Sequence, residues 1–354
     1  MCMSISVNDA KKSIDTVIKK SRVHLYKPIQ IAEILFHSRV YKDVNINDIE
    51  TYRVPSRAWR DTICLPLLGR ICTSSARFQD NLFDKNAVPP EKLKILDEEN
   101  KRTNGAVEAY IYNSFIGRHE QLQDALSYCL NSNASTFYVS NFIDSFWREP
   151  GLKRSLDKIY EIIVYALFST LVEALDLRVE IFIDKSKMNI LSEFNDFANK
   201  VMCLETDNLS YVQNARVYRV GVTNAADRGL DMYSNWGPAI QIKHMTLDLD
   251  LAESIVSGVS SDKVVIVCKD AERKTIQTVL NQIGWTNHIQ SIVTENDLID
   301  WYEKALRGKF SSILAKPLLA CLCEEIGNEF PSVKEIPQVL IERNYEHISD
   351  DFWK

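Results

Sequence analysis

The amino-acid sequence predicts an α/β (α+β) protein in which a mainly α N-terminal region precedes a mixed sheet flanked by helices. Three observations carry the prediction. Up to residue 150, apolar residues recur at helical spacing. From residue 178 onward, short apolar and alternating runs follow one another with helical segments between them. Between the two regions lies SLDKIYEIIVYALFSTLVEAL (155–175), apolar nearly all round, as a buried helix is.

Taken in order, residues 8–20 form an amphipathic helix with Ile14, Val17 and Ile18 on one face and lysines on the other. Pro28 marks a helix start whose apolar face continues through Ile29, Ile31, Ile34 and Leu35. Pro55 and Ser56 open SRAWRDTICLPLLGRI, and Pro89-Pro90 breaks the chain before EKLKILDEENKR. NGAVEAYIYNSF and HEQLQDALSYCL are helical in pattern. At REPGLKR (148–154) the texture changes, and Ser155 can cap the buried helix. RVEIFID (178–184) reads as a strand, followed by a helix near 189–203 and a strand ARVYRVGV (215–222). TNAADRGLDMYSNWGP is a turn region, and AIQIKHMTL (239–247) a strand with period-2 alternation. DKVVIVCKD (262–270) suits a central strand covered on both faces. AERKTIQTVLNQIG is a helix with Gly284 as its C-cap, HIQSIVT a further strand, and ENDLIDWYEKAL an acidic helix start. The expected regions are 1–150, 151–310 and a C-terminal helical extension, 311–354.

With 354 residues, 45% of them apolar and 25% charged, the chain has a soluble globular profile and can bury a core without staples. No run approaches the roughly 20 apolar residues of a membrane span, and the start has no signal-peptide pattern, so the expected address is cytoplasmic. The eight cysteines include no CxxC pair and the six histidines are dispersed, which excludes a clustered zinc site. Cys203, Cys268 and Cys321 read as reduced core residues. A net charge of −6 argues against a protein that coats nucleic acid, although a specific DNA enzyme needs only a local field. Residues 1–85 carry 14 Lys/Arg against 9 Asp/Glu, whereas 151–354 carry 22 against 30. A basic part for phosphate and an acidic part for metal have this signature, as does random variation over solvated surfaces.

The chemistry concentrates in RGLDMYSNWGPAIQIKHM (228–245). Residues two apart on a strand share a face, so Gln241 and Lys243 project together while Ile240, Ile242 and His244 point the other way. The turn at 235–238 can return Asp231 to their side. One carboxylate, one amide oxygen and one ammonium then converge. Phosphodiester cleavage uses such a set: oxygen ligands for a hard cation, and a lysine to orient water and balance transition-state charge. A chance triple on an ordinary strand is the alternative reading of this spacing. Because Gln241 brings no charge, a further carboxylate is expected at the metal. Glu161, in an otherwise apolar helix, is the candidate; Glu173 on the same helix and Asp227 near Asp231 are the fallbacks. Glu161 paired to a structural cation is equally compatible, and His244 reads as a satisfied core histidine.

SRVHLYKPIQIAEIL (21–35), CTSSARFQDN (72–81), NGAVEAYIY (104–112) and above all TNAADRGLDMYSNWGPAIQIKH (223–244) resemble the HaeII family of type II restriction endonucleases. The likeness runs over about residues 10–310. It implies a restriction-endonuclease-like PD-(D/E)XK core over 151–310, with the mainly α region 1–150 recognising DNA. It further implies Mg²⁺ dependence and double-strand cleavage at a short palindrome, purine-GCGC-pyrimidine in this family. The catalytic motif maps onto Asp231, Gln241 and Lys243. Two departures from the general pattern, Gln241 in place of an acid and no Pro before Asp231, leave the third metal ligand open. A non-catalytic DNA-binding regulator and a relaxed-specificity repair nuclease are the alternatives.

A palindrome with two scissile bonds is met most simply by a two-fold homodimer. Guanine is most often read by Arg or Lys in the major groove. The segment 51–81 offers Arg53, Arg57, Arg60, Arg70 and Arg77 among Ser74, Ser75, Gln79 and Asn81. Arg77, Gln79 and Asn81 form a candidate base-reading cluster. Lys19, Lys20, Arg22 and Lys27 form a candidate phosphate clamp, and Asn224, Asp227 and Arg228 adjoin the catalytic segment. Solvated faces and surface ion pairs are the ordinary fate of such residues.

Overall fold

A computed structural model describes residues 6–21, 26–72, 75–149, 151–220, 230–259, 261–271, 289–330 and 338–348. The chain divides into two compact units, one of residues 1–132, 140–159 and 323–354, the other of 133–139 and 160–322.

The first unit is helical. Helix α1 (Val7–Lys20) opens with a capping box: Asp9 N–H donates to Ser6 Oγ (3.2 Å) and Ser6 N–H to Asp9 Oδ2 (3.1 Å). Helix α2 (Tyr26–Phe36) is buried at every position from Pro28 to Phe36. It begins two residues before Pro28, and Pro is tolerated there because first-turn N–H groups have no intrahelical partner. Helix α3 (Pro55–Leu68) has Pro in its first turn and ends where Gly69 turns left-handed, φ 66°. Short α4 (Ala76–Asp80) and then α5 (Pro90–Arg102) follow. The two helical stretches read after residue 104 are one 26-residue helix, α6 (Ala106–Asn131), and α7 (Val139–Arg148) comes next.

Ile14, Ile31, Leu35, Ile63, Leu96 and Ile111 belong to a single core of this unit. Each such side chain stabilises by about 1.5–3 kcal/mol when fully buried. The same interior holds two carboxylates. Glu33 accepts from both terminal nitrogens of Arg343 (2.6 and 3.0 Å) and from the Tyr112 hydroxyl. Glu108 accepts from Arg39 Nε and Nη2 (both 2.9 Å), Tyr345 Oη (2.7 Å) and Asn100 Nδ2 (2.6 Å). Burial works against the Arg343 charge, yet the hydrogen bonds and charge of Glu33 hold its pKa above the ordinary value.

Helix α8 (Leu156–Ala174) is buried through most of its length, as its apolar girth requires. In the second unit, β1 (Arg178–Phe182) pairs antiparallel with β2 (Ser210–Asn214), with α9 (Met188–Glu193) and α10 (Asn195–Phe197) between them. A five-stranded mixed sheet follows in chain order: β3 (Val217–Arg219), β4 (Met232–Ser234), β5 (Ala239–Thr246), β6 (Val264–Asp270) and β7 (Ile289–Thr294). The first three are antiparallel and the last three parallel. Helix α11 (Leu249–Gly258) links β5 to β6 and covers one face, Ile255 and Ala252 packing with Val264, Ile266 and Cys268. On the other face the Tyr160 ring stands edge-on to His244 at 5.0 Å. Helix α12 (Glu295–Arg307) starts from β7 with a second capping box, Thr294 with Asp297. Its Tyr302 donates to Ile163 O at 2.9 Å. Helices α13 (Ser311–Glu329) and α14 (Gln338–Glu342) complete the described chain.

The α/β class with its helical N-terminal region is the one the sequence implies. Strand β2 was not foreseen, and the element before the 235–238 turn is a strand, β4. Cys268 is buried and Cys321 half-buried, but Cys203 is exposed, at a left-handed helix end with φ 56°. The expected helix 271–284 lies outside the described residues except for Ala271. Among the described residues no helix is long and apolar enough to cross a membrane.

Candidate functional site

The β4–β5 hairpin determines the site. Met232 pairs with Ile240 and Tyr233 with Ala239, so the next pair outward is Asp231 with Gln241. Val220 N–H donates to Asp231 O (2.9 Å), which extends the β3–β4 ladder through Asp231 and fixes its backbone. The turn is closed by Ser234, whose N–H and hydroxyl both donate to Pro238 O (3.0 and 3.1 Å). Gly237 takes φ 123°, a conformation that L side chains rarely adopt. The nine intervening residues of the motif are thus the length of a hairpin that sets an aspartate opposite an amide.

Gln241 Nε2 donates to Asp231 Oδ2, and the same oxygen accepts from Ile242 N–H at 2.7 Å. The Gln241 side chain is only 2% exposed. With its N–H₂ turned to the carboxylate, its carbonyl oxygen faces away. That oxygen is buried and has no hydrogen-bond partner among the described residues. A buried carbonyl without a donor costs about 1–3 kcal/mol, and a hard cation is a natural occupant for it. Asp231 and Gln241 therefore fit a divalent metal in their donor chemistry. Lys243, half-buried, lies on the same face two residues along β5. On the same side, nearer the sheet edge, Tyr218 and Tyr233 are exposed and stacked at 5.1 Å. The sequence reading passed over these tyrosines; the clue was that Tyr233 lies two residues from Asp231.

The other sequence candidates fall into different surroundings. Glu161 is 5% exposed in α8 and is not without a partner; its neighbour Tyr160 packs on His244, which projects from the opposite face of β5. Glu173 is exposed. Asp227, Asn224, Arg228, Arg22 and Ser74 lie outside the described residues. Among the described residues no three His, Cys, Asp or Glu side chains cluster as a metal site. His244 is buried as expected, but its Nε2 stands 3.5 Å from Glu295 Oε2 and the two make no hydrogen bond, so the expected satisfaction of this core histidine is not seen at that nitrogen among the described residues.

Lys19 and Lys20 are exposed in the last turn of α1. Lys27 donates to Asn81 Oδ1 and lies over the Phe78 ring at 4.4 Å, and burial lowers its pKa. Arg70 donates to Glu329 O (2.6 Å), and Arg60 to Gln79 Oε1 (3.0 Å) and Asp61 (2.7 Å). Arg57 pairs with Asp80 and Arg53 with Glu50. Ser75 caps α4, accepting from Phe78 N–H at 3.4 Å, while Arg77 is exposed. Several expected readers of bases thus hold one another in place, and Lys19, Lys20 and Arg77 keep their charge in solvent.

Comparison with known proteins identifies the family. The sequence profile described as HaeII restriction endonuclease matches residues 10–345. The chain is 54% identical over 343 residues to the type II restriction enzyme HaeII of Haemophilus aegyptius, covering 96% of this chain and 97% of that one. It is 53% identical over 338 residues to the type II restriction enzyme NgoBI of Neisseria gonorrhoeae, covering 96% of each. No solved structure matches significantly.

Proposed function

The chain belongs to the HaeII restriction endonuclease family and so is a sequence-specific deoxyribonuclease acting on double-stranded DNA; from that premise we propose that it cuts with Mg²⁺ at a site built by Asp231, Gln241 and Lys243. Type II restriction endonucleases generally use divalent metal ions. The observation that carries the choice of residues is the Asp231–Gln241 pair with its buried, unpartnered carbonyl oxygen. Asp231 and Gln241 would hold the ion; Glu161 lies on the helix that packs against the opposite face of β5 and is left out of the set. When bound, Mg²⁺ supplies charge neutralisation at the scissile phosphate and acidifies the attacking water. Asp231 is kept in position by Ile242 N–H and by its own place in the ladder. Lys243 presents an ammonium beside the pair, where it orients water and offsets charge that develops on the phosphate. Residues 1–150 provide the DNA-recognition region, with Lys19, Lys20 and Arg77 free to meet DNA.

The proposed target is a short GC-rich palindrome, purine-GCGC-pyrimidine, cut by a homodimer in the cytoplasm. Digestion of DNA of known sequence and mapping of fragment ends tests the target. Lys243→Ala tests the site: the variant should lose Mg²⁺-dependent cleavage yet shift the specific duplex in Ca²⁺. Retained cutting by Lys243→Ala removes the assignment.

A further inference from the structure

We propose that the Tyr218–Tyr233 pair, with Arg216 beside it, is the track on which the backbone of the cut strand lies next to the scissile phosphate, the two phenol hydroxyls donating to phosphate oxygens. This rests on the Asp231–Gln241–Lys243 reading above and adds where the substrate runs from it. The register of the β3–β4 ladder places the parts. Tyr218 is opposite Tyr233, and two residues further along β3 Val220 N–H donates to Asp231 O (2.9 Å). Two residues the other way, Asn235 N–H donates to Arg216 O (3.1 Å) and Arg216 N–H to Asn235 Oδ1 (2.9 Å). Residues two apart on a strand share a face. Arg216, Tyr218, Tyr233 and Asp231 therefore project on one side, that of Gln241 and Lys243.

The other side of these two strands supplies the core: Val217, Met232 and Ser234 are buried. The tyrosine side is left in solvent. Tyr218 is 37% and Tyr233 43% exposed, and their rings stack with planes 21° apart. A cross-strand aromatic pair steadies a ladder, and two phenylalanines would do so as well. The hydroxyls are what the ladder leaves unused. Among the described residues neither hydroxyl has a hydrogen-bond partner, nor does the exposed Arg216 guanidinium have an ion-pair partner.

Chemistry, charge and distance make a phosphate backbone the occupant. Phosphate oxygens are contacted by Arg, Lys and polar side chains, Tyr among them, and such contacts set the register of the duplex. Among the described residues on this face of β3, β4 and β5, the one acid is Asp231, the proposed metal ligand, whereas Arg216 and Lys243 are cations. That field suits a polyanion. Tyr233 follows Asp231 by two residues, about 6.7 Å along β4. A strand whose scissile phosphate sits at Asp231 thus passes within a side chain's length of the Tyr233 hydroxyl, and then of Tyr218. The stack holds both rings in place before DNA arrives, which lowers the ordering cost of binding.

The test is equilibrium binding of the full chain, in Ca²⁺, to a fluorescent duplex carrying the target mapped from fragment ends. Tyr218→Phe/Tyr233→Phe keeps the rings and the stack, so its far-ultraviolet circular dichroism and urea midpoint should match the wild type. Its Kd should rise on the order of tenfold per hydroxyl, and in Mg²⁺ the loss should fall on KM. A methylphosphonate, which removes a phosphate's charge and an acceptor oxygen, locates the contact. Next to the cut it should weaken binding by the wild type and barely alter the double variant. Arg216→Gln should weaken binding and lower the salt slope by about one; an unchanged slope takes Arg216 off the track. If the double variant fails to fold, Tyr233→Phe is read in its place by the same criteria. A wild-type Kd for the double variant overturns the track and leaves the pair a ladder stack. A loss that maps to a phosphate remote from the cut overturns it too. Failure of the site is read separately, because cutting by Lys243→Ala removes that assignment whatever the tyrosine variants bind.

Discussion

Two sets of deeply buried polar side chains, one in each unit, are handled in opposite ways. In the helical unit, Glu33 and Glu108 are closed in by guanidinium and phenol groups, and their charges are answered inside the protein. In the α/β unit, Gln241 is as deeply buried, but its carbonyl oxygen is left without a donor. Satisfied networks fix one packing. An unsatisfied atom lowers stability and is kept where something outside the chain completes it. Buried atoms unpartnered among the described residues occur in the helical unit too, Asp97 Oδ1 and Ser38 Oγ among them; what singles out Gln241 is that such an atom sits beside a carboxylate to which its own amide is hydrogen-bonded.

The largest test of that contrast is Asp231→Asn. It should cut cleavage by at least about 10²–10³-fold while leaving the urea midpoint nearly unmoved, because the amide still accepts from Ile242 N–H. Glu33→Gln should do the reverse. It leaves Arg343 charged and buried, so stability falls by about 3–5 kcal/mol, whereas the turnover of folded molecules stays that of the wild type. If Glu33→Gln slows cleavage at saturating stability, the division is wrong. Gln241→Glu sets two carboxylates together and removes the donor to Asp231. Metal-free stability should drop by about 1–3 kcal/mol at neutral pH. Like charges raise the pair's folded pKa, so the deficit should shrink as pH falls towards the carboxylate range and be recovered by added Mg²⁺. No response to Mg²⁺ would count against metal binding here. The smallest effect concerns pH. Burial pushes Tyr26 and Tyr52, both in the helical unit, up to about 12 from 10.0. Their contribution is whole below 10 and is lost as pH rises through 12. Urea midpoints should therefore hold from pH 7 to about 10 and decline above it; a flat profile beyond that point refutes the effect.

What the sequence made legible was what neighbours in the chain decide. Strand β5 and the helix over 156–174 lie within a residue of their expected bounds, because period-2 alternation and an all-apolar girth are local signals. Asp231, Gln241 and Lys243 could be proposed because a tight hairpin converts spacing into facing. Strand β2 was illegible for the opposite reason. SYVQN is short and half exposed, and only its pairing with β1, some thirty residues away, makes it a strand. Cys203 looked like core from its apolar neighbours, yet those neighbours, Val201 and Met202, are themselves exposed. The readers in 51–81 misled in part because sequence does not reveal that Arg60 and Gln79, or Lys27 and Asn81, are partners.

Loops between strands are usually where length drifts at little cost. The Ser234–Pro238 turn has no such latitude. One residue gained or lost there rotates every later side chain of β5 to the other side of the sheet, carrying the amide and the ammonium away from the carboxylate. Two would restore the side but slide each partner past the other by a full pair. Descendants of this chain are free to vary the letters of the turn, within what the backbone at Gly237 allows, but not to vary their number.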